Sequence, residues 1–208
     1  MSDRRRLIRP ARLSPFRHWR PDRLSDWERA EAFRACPRYH AAGDIKTAYT
    51  AATSGTGGVT SLATSATWVA GYEWFVIDFS TGKETGCQVQ GKVRVGTTPT
   101  VNTEIRIYAV PSYDGTLWPD VFDGTPSAET LTSVGVGSGF LKLCAVLQVD
   151  ATTSDRDYPY YFDLATVFPA MPKKVAIWVT HNTGVSLNAT AAEHTYAYQP
   201  TYLNVAQS

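Results

Sequence analysis

Between Thr85 and Val110 the chain alternates apolar and polar residues. Cys87, Val89, Gly91, Val93 and Val95 share one parity, and Gln88, Gln90, Lys92 and Arg94 share the other. That is the period of a strand with one face in a core and one in water. Ile105, Ile107 and Ala109 alternate in the same way with Glu104, Arg106 and Tyr108. The connector Gly96-Thr97-Thr98-Pro99-Thr100-Val101-Asn102 is rich in turn formers, so the pattern predicts two strands joined as a hairpin. A lone hairpin cannot bury its apolar face and needs further strands.

The rest of the chain offers them. Ala66 to Ser80 is rich in aromatic and β-branched residues, with Gly71 as a candidate bulge, and Phe140–Val149, Tyr158–Phe162, Lys173–Thr180 and His194–Val205 read as strands bounded by turn signals. A long loop, Pro111 to Ala128, has the length of loops that contact partners or carry function. Seven or eight strands with no convincing helix between them predict an all-β fold, an antiparallel β-sandwich or jelly roll.

The first forty residues follow other rules. Pro10, Pro15 and Pro21 exclude helix interior and predict an extended arm. Leu7, Ile8, Leu13, Phe16, Trp19 and Leu24 are interleaved with arginines, so the arm is expected to lie on a surface rather than in solvent. Ser25-Asp26-Trp27-Glu28 is a capping box, predicting a short helix over about 26–36 that Pro37 stops. Residues 41–64 are rich in Gly, Ser and Thr and read as a linker. The expected organisation is an arm over 1–40, a linker over 41–64 and a β-sandwich domain over 65–208.

Charge sharpens this division. Residues 1–40 hold eleven arginines, no lysine and five acids, whereas the remainder holds nine basic residues against fourteen acids. A basic arm on an acidic body points to a charged partner for the arm. Arginine without lysine favours bidentate pairing with carboxylate or phosphate, although a composition bias towards arginine produces the same count. Arg4, Arg5, Arg6, Arg9, Arg12, Arg17 and Arg20, with Leu7, Ile8, Phe16 and Trp19, are the candidate anchoring residues. Without periodic spacing for a groove-reading helix, docking on protein is favoured over nucleic acid.

Candidate chemistry is sparse. Cys36, Cys87 and Cys144 have no paired or zinc-type spacing, and Cys87 on the apolar parity predicts a buried free thiol. His181 and His194 lack a third ligand at suitable spacing. Asp150, Asp155 and Asp157 share one loop and form a weak candidate for Ca²⁺, without the spacing of an EF-hand. Asp120 and Asp123 are a conceivable carboxylate pair, and with Tyr113 and Trp118 a conceivable glycan contact. No cofactor is expected, no apolar run approaches the ~20 residues of a membrane span, and Arg4-Arg5-Arg6 is not followed by the apolar region of an export signal.

Five segments carry a resemblance: Ala66 to Tyr72, Gly91 to Thr103, Trp118 to Gly124, Val149 to Ser154 and Val179 to Val185. Together they resemble β-rich virion proteins of tailed bacteriophages, over roughly residues 60–205 and outside the arm. The resemblance implies a non-enzymatic structural protein made in the host cytoplasm and carried on the virion, beside other capsid or tail proteins. Capsid decoration, head-fibre, neck and tail roles are all compatible with it. A homo-oligomer, by analogy a trimer, is expected. The alternative is a carbohydrate-binding module on the same scaffold.

Overall fold

The computed structural model describes residues 45–205. Their strands are β1 (Ile45–Tyr49), β2 (Thr53–Thr56), β3 (Ala70–Asp78), β4 (Glu84–Arg94), β5 (Thr103–Ser112), β6 (Ser127–Thr130), β7 (Lys142–Val149), β8 (Asp157–Asp163), β9 (Lys174–His181) and β10 (Thr195–Val205). One short helix, α1 (Val134–Phe140), precedes β7. The first sheet runs β1-β10-β4-β8, with β2 also paired to β10, and the second runs β6-β3-β9-β5-β7. Every pairing is antiparallel. The fold is an all-β sandwich, and the chain changes sheet from β2 to β3, β3 to β4, β4 to β5, β7 to β8, β8 to β9 and β9 to β10, a jelly-roll-like winding.

The apolar parities meet between the sheets. Cys87, Val89 and Val93 of β4 and Tyr158, Tyr160 and Phe162 of β8 face Phe75, Ile77, Ile105, Ile107, Val175, Ile177 and Val179 of the second sheet. Each large side chain buried there contributes about 1.5–3 kcal/mol of transfer free energy. Burial pushes the thiol pKa of the free Cys87 up to about 12, so it packs as a small apolar group. A second cluster, Val110, Phe122, Leu131, Ala176 and Trp178, lies on the other side of the second sheet. Strand β9 therefore has both faces covered, which is why Val175–Val179 within it reads as a continuous apolar run.

Several expectations are corrected. β4 and β5 do not form a hairpin: β4 pairs with β10 and β8, β5 with β9 and β7, and residues 96–102 cross between the sheets. The crossing is held by Thr98 N–H donating to Ser154 Oγ (2.9 Å), Thr100 N–H to the Thr183 carbonyl (2.9 Å) and Asn102 N–H to the Val149 carbonyl (2.9 Å). Two strands with matching apolar faces bury them equally well by pairing or by stacking, and alternation alone does not distinguish the two.

The segment read as a linker carries β1 and β2, and Val59 and Leu62 belong to the core. Its glycines serve close packing: a Cβ on Gly58, whose φ is +83°, would stand 2.3 Å from Trp74 Cδ1, and one on Gly55 would stand 2.4 Å from the Tyr196 hydroxyl. The bulge in β3 falls at Trp74 rather than Gly71, where the register against β9 shifts between Glu73 and Phe75. Trp74 and Phe75 thus both face the inner core. Helix α1 forms from Val-Gly-Val-Gly-Ser-Gly-Phe against its low helix propensity. Ser133 Oγ caps it by accepting from Val136 N–H (3.1 Å), and Gly137 is packed so closely that a Cβ there would lie 2.9 Å from Leu131.

Candidate functional site

The polar parity of β4 acquires its neighbours only from the sheet. Register places Ser54, Ala197, Gln90 and Tyr161 in one row across β2, β10, β4 and β8, and Thr56, Thr195, Lys92 and Pro159 in the next. Gln199 and Gln88 continue the surface on the other side of the first row. These side chains point away from the core, because the alternate residues Tyr196, Tyr198, Val89, Gly91, Tyr158, Tyr160 and Phe162 lie on the inward parity. Of these, Ser54, Thr56, Gln90, Lys92, Pro159, Thr195 and Ala197 line a depression of about 800 Å³. A smaller hollow of about 100 Å³, lined by Gln88, Gln90, Gln199 and Tyr161 among others, adjoins it.

The floor of the depression is closely packed. Tyr160 passes beneath Gly91, where a Cβ would stand 2.1 Å from the Thr195 carbonyl oxygen and 2.6 Å from the Tyr160 hydroxyl. The hydroxyl donates to that same carbonyl (3.3 Å). At one end an ion network closes the surface: Lys92 Nζ reaches Asp157 (2.9 Å) and Glu193 (3.2 Å), and Arg94 reaches Asp157 (2.6 Å) and Glu193 (2.9 Å). The hydrogen bond from Arg94, helped by Lys92, holds the Asp157 pKa down at about 2. Two cations and two carboxylates leave this rim with no net charge. Behind it the buried His194 accepts at Nδ1 from Arg94 N–H (3.4 Å) and donates from Nε2 to the Asn188 carbonyl (2.7 Å). Burial lowers its pKa.

The residues singled out from sequence are dispersed. Tyr113 is exposed, but Trp118 packs beside the second cluster and against Gly124. Asp120 accepts from Thr132 N–H (3.0 Å) and its hydroxyl (2.6 Å), and Asp123 caps Thr125 N–H (2.7 Å). Both carboxylates shape the loop that carries them. Asp150 accepts from Arg156 (3.0 Å) and the Tyr158 hydroxyl (3.0 Å), Asp155 from Asn188 (2.6 Å), and Asp157 from β4. Asp150 and Asp155 lie in the loop and Asp157 begins β8, and the three turn to different partners. Among the described residues no group of three or more His, Cys, Asp or Glu side chains is arranged to hold a metal ion. His181 is buried, donating from Nε2 to the Leu62 carbonyl (2.9 Å), and burial drops its pKa to about 4. Arg4, Arg5, Arg6, Leu7, Ile8, Arg9, Arg12, Phe16, Arg17, Trp19 and Arg20, with the helix expected at 26–36, lie outside the described residues. Among the described residues no helix is long and apolar enough to cross a membrane.

One unusual group escaped the sequence reading. Glu73 of β3 is fully buried, and neither carboxylate oxygen has a hydrogen-bond partner. It sits directly opposite Trp178, whose indole N–H is also unpaired. Burial pushes its pKa from 4.5 to about 7, and the Asp123 and Glu129 carboxylates add to the rise. The backbones of Asp123 and Gly124 act the other way without closing a hydrogen bond. Its signal in the sequence was an acid inside the run Tyr72-Glu73-Trp74-Phe75, where a core-facing strand has no use for charge. No protein-family model matches the chain, and no curated protein matches its sequence.

Proposed function

We propose that the chain is a non-enzymatic structural component of a tailed-phage particle, a β-sandwich displayed on the virion and anchored by its arginine-rich N-terminal segment to an acidic protein neighbour. The observation that carries this reading is the division of charge: eleven arginines against five acids in residues 1–40, and nine basic residues against fourteen acids in the rest. The fate of the loop carboxylates supports it, since Asp120, Asp123, Asp150, Asp155 and Asp157 all hold local structure. The neighbour is another capsid or tail protein or a second copy of the chain, with the head surface and a trimer as the favoured arrangement.

The test is size-exclusion chromatography with light scattering on the full chain and on a chain beginning at Ala41. A defined oligomer that the shorter chain loses supports anchoring between copies. Two monomers that behave alike, with a full chain that shifts duplex DNA and whose affinity falls by a log–log slope of about −0.9 per phosphate neutralised, replace protein anchoring with DNA binding.

A further inference from the structure

We propose that the depression on the outer face of the first sheet, together with the hollow that adjoins it, is a binding site for an uncharged oligosaccharide, with Tyr161 of the hollow as the stacking platform and Gln88 of the hollow and Gln90, which borders both, as the polar readers. Three observations converge on it. The first is unsatisfied but solvated hydrogen-bonding capacity. Among the described residues the side-chain amides of Gln88 and Gln90 make no hydrogen bond, although both sit in ordered β4. A primary amide offers donors and an acceptor side by side, and a sugar hydroxyl needs both from its partner.

The second is electrostatic. The cations that border the surface are held by Asp157 and Glu193, so nothing in the depression attracts an anion or a cation strongly. A neutral, hydroxyl-rich ligand is the chemistry that complements such a lining. The third is shape. The surface crosses four strands, spaced about 4.8 Å apart, and continues into the hollow beside Gln199, so it suits a chain-like ligand rather than a compact one. Tyr161, 61% exposed, stands beside Gln90 in the same row, an accessible aromatic ring of the kind that stacks on the C–H face of a pyranose.

A protein partner fits less well. The buried centre of a protein interface is apolar and rich in aromatic residues, Met and Arg, whereas the amide and hydroxyl side chains here leave Tyr161 as the only strongly exposed aromatic among the residues lining the two hollows. The floor is also preformed, because Gly55 and Gly91 let Tyr196 and Tyr160 lie under the sheet, so little ordering opposes binding. The inference concerns recognition by the body and does not depend on how the chain is anchored.

Affinity electrophoresis of the full chain in native gels cast with neutral polysaccharides (dextran, galactomannan, xyloglucan) and acidic ones (alginate, polygalacturonate) tests it. The expected result is retardation by at least one neutral polysaccharide, weakened about tenfold or more by Tyr161→Ala and clearly by Gln90→Ala, but unchanged by Trp118→Ala. Circular dichroism melts establish that the Tyr161 and Gln90 variants are folded, both positions being exposed. Retardation by none of the gels, by the acidic ones alone, or undiminished in Tyr161→Ala overturns the proposal. So does an oligomer of the full chain that Tyr161→Arg dissociates, which makes this face an interface between copies.

Discussion

Replacing Glu73 by Gln removes a charge from a place that cannot solvate it, and the consequence is a change in how stability depends on pH. In the unfolded chain the carboxyl titrates near 4.5, and in the fold near 7. Below pH 4.5 both states hold the proton and the group adds no pH dependence. Between pH 4.5 and 7 the unfolded chain ionises while the folded one keeps its proton, so stability falls as pH rises. Above 7 both are ionised and the full penalty stands. At about 1.4 kcal/mol per pH unit, the interval between 4.5 and 7 amounts to about 3 kcal/mol. Glutamine has nearly the same shape and cannot ionise. Its own buried amide brings a cost that is constant with pH, so the informative quantity is the difference between the two proteins at each pH. Urea unfolding followed by the fluorescence of the buried Trp74 and Trp178 measures it at pH 4.5, 6 and 8. The Gln variant is expected to gain on the parent by about 3 kcal/mol between pH 4.5 and 8. The loop over Glu73, residues 118–125, should also become more sensitive to protease at pH 8 in the parent alone. A difference that stays within about 0.5 kcal/mol across the three pH values refutes the reasoning, because it means that the carboxylate finds water or a partner when ionised.

Other perturbations have equally definite outcomes. His181 is held neutral, with a folded pKa of about 4 against 6.5, so its contribution is complete above pH 6.5 and is lost as pH falls towards 4. His181→Gln should flatten the acid limb of a stability–pH curve, by up to about 3 kcal/mol between pH 6.5 and 4, and an unchanged limb contradicts the assignment. Gly91→Ala drives a methyl into the Thr195 carbonyl and the Tyr160 hydroxyl, and should cost about 1–3 kcal/mol or more in urea unfolding, with loss of the polysaccharide site if β4 and β10 separate. Asp157→Asn, in a network whose members are each a quarter to a third exposed, should cost under about 1 kcal/mol, and less again in high salt. Ile107→Ala empties a fully buried site between the sheets, and a loss of about 2–5 kcal/mol is expected in the same unfolding assay.

Local periodicity was enough to locate the longer strands, but not the short β1, β2 and β6. The runs at Tyr158–Phe162, Lys173–Thr180 and His194–Val205 correspond within one or two residues to β8, β9 and β10, and regularly spaced strands of this kind point to packed antiparallel sheets. The wet parity of β4, with Gln88, Gln90, Lys92 and Arg94, was likewise legible, because a residue's face in a strand follows from its parity alone. Pairing was not legible. Whether β4 lies beside β5 or across the core from it depends on contacts between residues far apart in the chain, and both arrangements bury the same apolar side chains. For the same reason the glycines at 55 and 58 resembled a flexible linker until Tyr196 and Trp74 were seen lying against them. The candidate surface illustrates the division most clearly. Gln90 faces outward by sequence, but only the register of β2, β10 and β8 sets Ser54, Ala197 and Tyr161 in line with it. The desolvation of Glu73 also belongs to the fold, since it needs Trp178 from β9 and the chain around Asp123 and Gly124 to exclude water from a strand residue whose own neighbours cannot. The alternation of side chains is a property of each strand's backbone, whereas charge environment and surface shape come from which strands meet.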